Sequence, residues 1–244
     1  MKSIAFSLAC LLGLASGAGA ADLLSGTWTA GDGPEARVYV FKVVGDGFTG
    51  IVCGPCDNPA SVFRIEEGRV VGADRATFFI RRDNSRRERV EATLARNLLT
   101  LSGSTAPLKR VVENFELGAA PPEPPAGGDA SKAASVTGRW VSPGRVAQQN
   151  WILNIDGNRV WGLVCGPCTP QVVAMIDGYV DGDTIRFYIN HIDTPPSPNR
   201  QGVRRNVMTA KLPVPGNSNL MRFNWVSEQT PTNTGEIVMV GPVR

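Results

Sequence analysis

Residues 50–56, Gly-Ile-Val-Cys-Gly-Pro-Cys, return 112 positions later as Gly-Leu-Val-Cys-Gly-Pro-Cys at residues 162–168. The same offset relates Trp28 to Trp140, Gly45 to Gly157 and Cys53 to Cys165, so the register holds without a gap from the tryptophan to the cysteines. A period this long is a whole small domain of roughly 100 residues, not a solenoid repeat. The chain therefore reads as one domain written twice. Residues 117–136 separate the copies: Pro121, Pro122, Pro124, Pro125 and the Gly127-Gly128 pair leave almost no large apolar side chain there, which is the composition of a linker. The expected organisation is a first domain at 21–116, a linker at 117–136 and a second domain at 137–244, with the two domains tethered rather than fused.

Inside each copy the apolar residues alternate. Tyr39, Phe41 and Val43 correspond to Trp151, Leu153 and Ile155, which marks one face of a strand as apolar in both copies. The intervening positions Val38, Val40, Lys42 and Val44 become Asn150, Ile152, Asn154 and Asp156, and a face that drifts towards polar is expected to meet solvent. Gly45-Asp46-Gly47 and Asp156-Gly157-Asn158 follow as tight hairpin turns. Gly68 and Gly72, like Gly178 and Gly182, punctuate the next hairpin, and strands are predicted at 77–80, 90–94, 98–101 and 110–115 in the first copy and at 185–189, 208–212, 220–225 and 236–240 in the second. No segment carries a sustained helical stripe. About eight short strands per copy, joined by turns too short for crossovers, require antiparallel neighbours in chain order, and closure into a small barrel is the arrangement that leaves no bare edge. The predicted fold class is all-β: two tandem antiparallel up-and-down barrels.

Gly26-Thr27-Trp28 and Gly138-Arg139-Trp140, at the start of each copy, resemble the G-x-W opening of lipocalin-like (calycin) barrels. Residues 176–185, Ile-Asp-Gly-Tyr-Val-Asp-Gly-Asp-Thr-Ile, are similar to a pattern in small secreted bacterial lipocalin-like domains. The resemblance implies a barrel and an apolar ligand.

Lys2, an apolar run over 4–14 and Ala18-Gly19-Ala20 ahead of Ala21 have the layout of a cleaved signal peptide, so residues 1–20 are expected to be removed and the product to be periplasmic or secreted. No later stretch reaches the roughly 18 consecutive apolar residues of a membrane span. The chain carries +3, and loss of Lys2 leaves +2, which offers no electrostatic case for nucleic acid as a partner.

Without Cys10, four cysteines remain, in two Cys-Gly-Pro-Cys units. The spelling is that of thioredoxins, where a following helix lowers the pKa of the first thiol. Here Asp57-Asn58-Pro59 or Thr169-Pro170 follows, then another strand, and a helix has no room to form. The first reading is a structural disulfide in each unit, Cys53 with Cys56 and Cys165 with Cys168, as an exported chain with small cores favours. Two others stay open. A short exposed bridge could exchange, making Cys53, Cys56, Cys165 and Cys168 redox centres, or the four thiolates could meet in one structural zinc site. Covalent haem is excluded because Asp57 and Thr169 stand where the attachment motif needs histidine.

Arginine collects on one hairpin of each copy: Arg81, Arg82, Arg86, Arg87 and Arg89 around Asp83 and Glu88 in the first, Arg200, Arg204 and Arg205 in the second. Arg86, Arg87, Arg204 and Arg205 are candidate ligands for a phosphate or carboxylate, against the alternative of solvated hairpin tips. His191, the single histidine, has no counterpart in the first copy and reads as a surface residue, which removes histidine-pair catalysis. Trp161 replaces Thr49, so the second barrel is expected to bury something the first does not; it joins the ligand candidates. No metal and no cofactor is expected. The functional reading is an exported, non-enzymatic tandem-barrel protein that binds a small ligand or a protein partner; the rival is a thiol-disulfide oxidoreductase or redox sensor.

Overall fold

The computed structural model describes residues 23–33, 35–82, 86–113, 136–142, 149–166, 172–192, 205–212, 219–228 and 230–243. The expected leader, all but the last residue of the linker, Asp83, Cys168, Arg200 and Arg204 lie outside these residues.

The first copy forms β1 (Gly26–Ala30), β2 (Arg37–Val44), β3 (Gly47–Cys53), β4 (Val62–Val70), β5 (Arg75–Arg81), β6 (Arg87–Ala95), β7 (Leu98–Leu101) and β8 (Leu108–Glu113). Each strand pairs antiparallel with the next, and β8 returns to β1 to close the barrel. The second copy repeats the plan with β9 (Gly138–Val141), β10 (Asn150–Asp156), β11 (Arg159–Cys165), β12 (Val172–Asp181), β13 (Thr184–His191), β14 (Arg205–Lys211), β15 (Leu220–Ser227) and β16 (Thr234–Val243), closed by β16 on β9. Gly45 and Gly157, at φ 61° and 62°, make the two-residue turns that the alternation predicted. Among the described residues no helix is long and apolar enough to cross a membrane.

Gly68 and Gly178 are not turn residues. Both lie within the long strands β4 and β12, because a Cβ at Gly68 would stand 2.4 Å from the Phe48 ring and one at Gly178 would stand 2.2 Å from the Arg186 carbonyl oxygen. Glycine is placed there by close approach in the sheet, and the turns come later.

Side chains fill each interior. Phe41, Phe48 and Phe78 meet edge to face with ring centroids 5.5–5.7 Å apart, and Ile65, Val90 and Leu99 complete the packing around them. Phe187 and Phe223 do the same in the second barrel at 5.2 Å. The G-x-W tryptophans are buried, and their indole Nε1 atoms donate to the carbonyls of Leu24 and Val136 at 2.9 and 2.8 Å, so each ties the lead-in chain across its barrel. Eight strands leave room for side chains or one small ligand, and here the side chains occupy it. An apolar ligand held inside a barrel, as the resemblance implied, does not fit this packing.

The outward face of β2 corrects the expectation of solvent exposure and a loose tether. Val38, Val40 and Lys42 are buried, as is Ile152 on β10, because the two barrels pack on each other through these faces. The shared apolar cluster pairs equivalent positions of the copies: Val40 with Ile152, Ile51 with Leu163, Cys53 with Cys165, and Val62 with Val172. Such a contact, in which the same patch of both halves meets itself, is the geometry of a two-fold dimer made within one chain. Ion pairs from Arg81 to Asp156 at 2.9 Å and from Arg139 to Asp57 at 3.7 Å flank it.

Candidate functional site

Cys53, Cys56 and Cys165 sit at this junction. Cys53 ends β3 and is bonded to Cys56; a three-residue 3-10 helix, Pro59–Ser61, follows, capped by Asn58, whose side chain accepts from the Ala60 amide at 3.0 Å. Among the described residues no α-helix points at the sulfurs, so the dipole that activates a thioredoxin thiol is missing beside Cys53 and Cys56. Cys53, Cys56 and Cys165 are at most 1% exposed, packed between the barrels, which corrects the premise of an exposed, exchangeable bridge. Cys165 is also disulfide-bonded. The bonded pair Cys53–Cys56 has no thiolate to give zinc, and among the described residues no group of three or more histidine, cysteine, aspartate or glutamate side chains gathers.

Beside the apolar contact the two faces separate into a cleft of about 280 Å³. Its walls are again equivalent positions: Thr49 opposite Trp161, Arg64 opposite Met175, Glu66 opposite Asp177, and Arg81 opposite Asn190, with Lys42 and Arg159 completing it. These residues sit on the outward side of β2, β3, β4, β5, β11, β12 and β13, one position along from those that fill the barrels. The volume is close to the lower end of small-molecule sites.

A β-bulge shapes the first wall. From Ile65 to Gly68 the strand takes three steps where the second copy takes two, from Ile176 to Gly178, and Glu67 absorbs the extra residue at φ 50°, a conformation uncommon outside glycine. Glu66, only 6% exposed, is held in the cleft by arginine: Arg64 and Arg81 stand 2.6 and 3.0 Å from Oε1 as ion pairs without hydrogen-bond alignment, and Arg81 Nε donates to Oε2 at 3.2 Å. Arg87 pairs with Glu67 at 2.7 Å, and Arg159 pairs with Asp177 at 2.7 Å. Burial lowers the pKa of Arg64, opposed by Glu66.

Lys42 breaks this pattern of matched charges. It is 4% exposed, and its Nζ has no hydrogen-bond partner in the protein. Burial lowers its pKa, with Asp177 acting against the shift and Arg205 and Arg159 acting with it. Asn190 is 1% exposed, and its Oδ1 is likewise unpartnered. Four atoms on residues that line the cleft lack hydrogen-bond partners, Lys42 Nζ, Glu66 Oε1, Arg159 Nε and Asn190 Oδ1; Glu66 and Arg159 are ion-paired all the same, which leaves Lys42 and Asn190 for something else to complete.

Of the arginines singled out from the sequence, Arg87 and Arg205 occupy equivalent places, opposite Arg81 and Asn190, on strands rather than at a hairpin tip. Arg87 lies over the Phe79 ring at 4.3 Å, and Arg205 over Tyr188 at 4.5 Å while donating to Glu228 at 2.7 Å. Their guanidinium groups are thus occupied, and Arg86 lies outside the cleft. Arg204 falls outside the described residues. Trp161 does line the cleft, but on the outer face of its barrel: it borders space between the copies instead of burying something inside the second one. His191 is half-buried, with Nε2 3.3 Å from Asn206 Nδ2.

Sequence reading missed Lys42, Arg64, Glu66, Asp177 and Asn190. Two signals point to them: a lysine interrupts the valines of β2, and the repeat offset slips from 112 at the cysteines to 110 at Gly68 and Gly178, where the bulge lies. No family model, curated protein or solved structure matches the chain.

Proposed function

We propose that this protein is an exported, non-enzymatic binding protein, a fused pair of lipocalin-like barrels each stapled by its own Cys-Gly-Pro-Cys disulfide, which takes a small ligand into the cleft between the barrels. The observation that carries the reading is the pair of buried, unpartnered polar atoms, Lys42 Nζ and Asn190 Oδ1, on two residues that line one cleft. A buried polar group without a partner costs about 1–3 kcal/mol, and a ligand that completes it returns that free energy on binding. Packed barrel interiors favour the cleft over a central cavity, and the burial of Cys53, Cys56 and Cys165 favours staples over redox exchange.

The test is native mass spectrometry of the protein expressed with its leader and purified from the periplasm without reductant. A mature chain starting near Ala21, four protons light and carrying a small adduct, is the expected result. Free thiols in the purified protein, or a reduction potential near the compartment's poise rather than below about −300 mV, would transfer the reading to redox exchange.

A further inference from the structure

We infer that the ligand of the inter-barrel cleft is a small organic monocarboxylate with an apolar body and one hydrogen-bond donor, its carboxylate bound to Lys42 Nζ and its donor to Asn190 Oδ1. The inference rests on the binding reading above and names the class of ligand.

The charges in the cleft carry it. Glu66 is shared by Arg64 and Arg81, Asp177 is matched to Arg159, Glu67 to Arg87, and Asp156 to Arg81. Among the described residues, every carboxylate that lines the space is thus committed to a guanidinium, and every guanidinium that lines it to a carboxylate. Among the described residues Lys42 is the remaining cation, withdrawn from water with neither a hydrogen-bond partner nor an ion pair. A single unmatched ammonium calls for a single negative charge. Phosphate, carrying close to two charges, would find one free cation and meet the fields of Glu66 and Asp177. The rest of the lining is apolar: Ile51, Met175, Ile176 and the Trp161 indole give an unsaturated or aliphatic body a surface to cover. Asn190 Oδ1 can only accept, so a ligand hydroxyl or N–H completes it.

The probe is 4-hydroxyphenylacetate, which has one carboxylate, a flat apolar ring and a phenol donor, compared by titration calorimetry with its neutral amide 4-hydroxyphenylacetamide and its cationic analogue tyramine. The full chain is used, with the Trp161 indole N–H resonance reporting the location. The carboxylate is expected to bind at least about ten-fold tighter than the amide and to shift the Trp161 signal, with tyramine weakest. Lys42→Met should remove the preference for the acid over the amide, and Lys42→Arg, which keeps the charge, should retain most of it. Equal affinity for acid and amide, unaffected by Lys42→Met, would overturn the monocarboxylate while leaving the cleft as a binding site. If no probe of any charge moves the Trp161 resonance, the cleft reading falls together with the inference.

Discussion

The outer faces of the two barrels met as near copies and ended with different work. In the apolar half of their contact the pairs Val40 and Ile152, Ile51 and Leu163, Cys53 and Cys165, and Val62 and Val172 keep the same chemistry, because a patch that packs against its own equivalent needs only matching shape and apolar surface. In the cleft beside it the equivalents differ: Arg64 against Met175, Arg81 against Asn190, Thr49 against Trp161, while the counterpart of Lys42, Asn154, does not line the space at all. The first copy supplies Lys42, Arg64, Glu66 and Arg81, and the second a single ion pair, Arg159 with Asp177, beside Trp161, Met175 and Asn190. Docking keeps the halves alike, and a site on the axis between them is asymmetric only where they differ.

A charge in the symmetric half is the hardest blow to that comparison. Ile51→Asp would place an unpaired carboxylate in the contact and is expected to cost about 3–5 kcal/mol, seen as a lowered denaturation midpoint and faster proteolysis between the barrels. A variant as stable as the parent would mean that the contact contributes nothing.

The asymmetric half predicts the opposite sign. Lys42→Met removes an uncompensated buried ammonium and should stabilise the protein by about 1–3 kcal/mol in chemical denaturation near neutral pH. The lowered pKa of Lys42 sets the pH dependence: between that value and the usual 10.5 the unfolded chain holds a proton that the folded chain has released, so parental stability rises with pH across the window. The advantage of Lys42→Met therefore fades as pH climbs towards 10.5. A variant that is less stable at neutral pH would show that Lys42 has a partner in the folded protein.

The staples come next. Cys53 and Cys56 are three positions apart, and a loop so short gives a chain-entropy gain of only about 2 kcal/mol, so the double change to alanine, which buries no hydroxyl, should lower stability by about that amount and leave the protein folded in thermal unfolding. A much larger loss would mean that the sulfurs act mainly through packing between the barrels.

Arg205→Leu, which removes the stack on Tyr188 and the bond to Glu228, should cost about 1 kcal/mol, and Arg87→Leu no more than that, since Arg64 and Arg81 still hold Glu66. A loss at Arg87 well above that at Arg205 would identify the bulge as the more fragile of the two walls.

The strands were legible because a half-buried strand writes itself in period two: Tyr39-Phe41-Val43 and Trp151-Leu153-Ile155 announce an inner face whatever lies outside. The sulfur loop was legible for the same local reason, since a strand on either side leaves no room for a helix. The outer face was not. Val38 and Val40 beside Asn150 and Asn154 look like a surface drifting towards water, and nothing local tells a solvent-facing valine from one that meets another domain. Gly68 and Gly178 misled in the same way: glycine chosen because a phenylalanine ring or a neighbouring backbone comes within 2.4 Å is spelled like glycine chosen for a turn.

The sequence by itself determined the duplication, the antiparallel meander and the placing of the cysteines between strands, all set by residues close along the chain. Only the tertiary structure decided that each meander closes on its own first strand, that the barrels fuse through their outer faces, that the Cys53–Cys56 disulfide and Cys165 are sealed between them, and that Lys42, Glu66 and Asn190 line one cleft. Burial of an outward residue depends on what is packed against it, and the partner of each of these lies on another strand or on the other copy, where no local pattern carries the information.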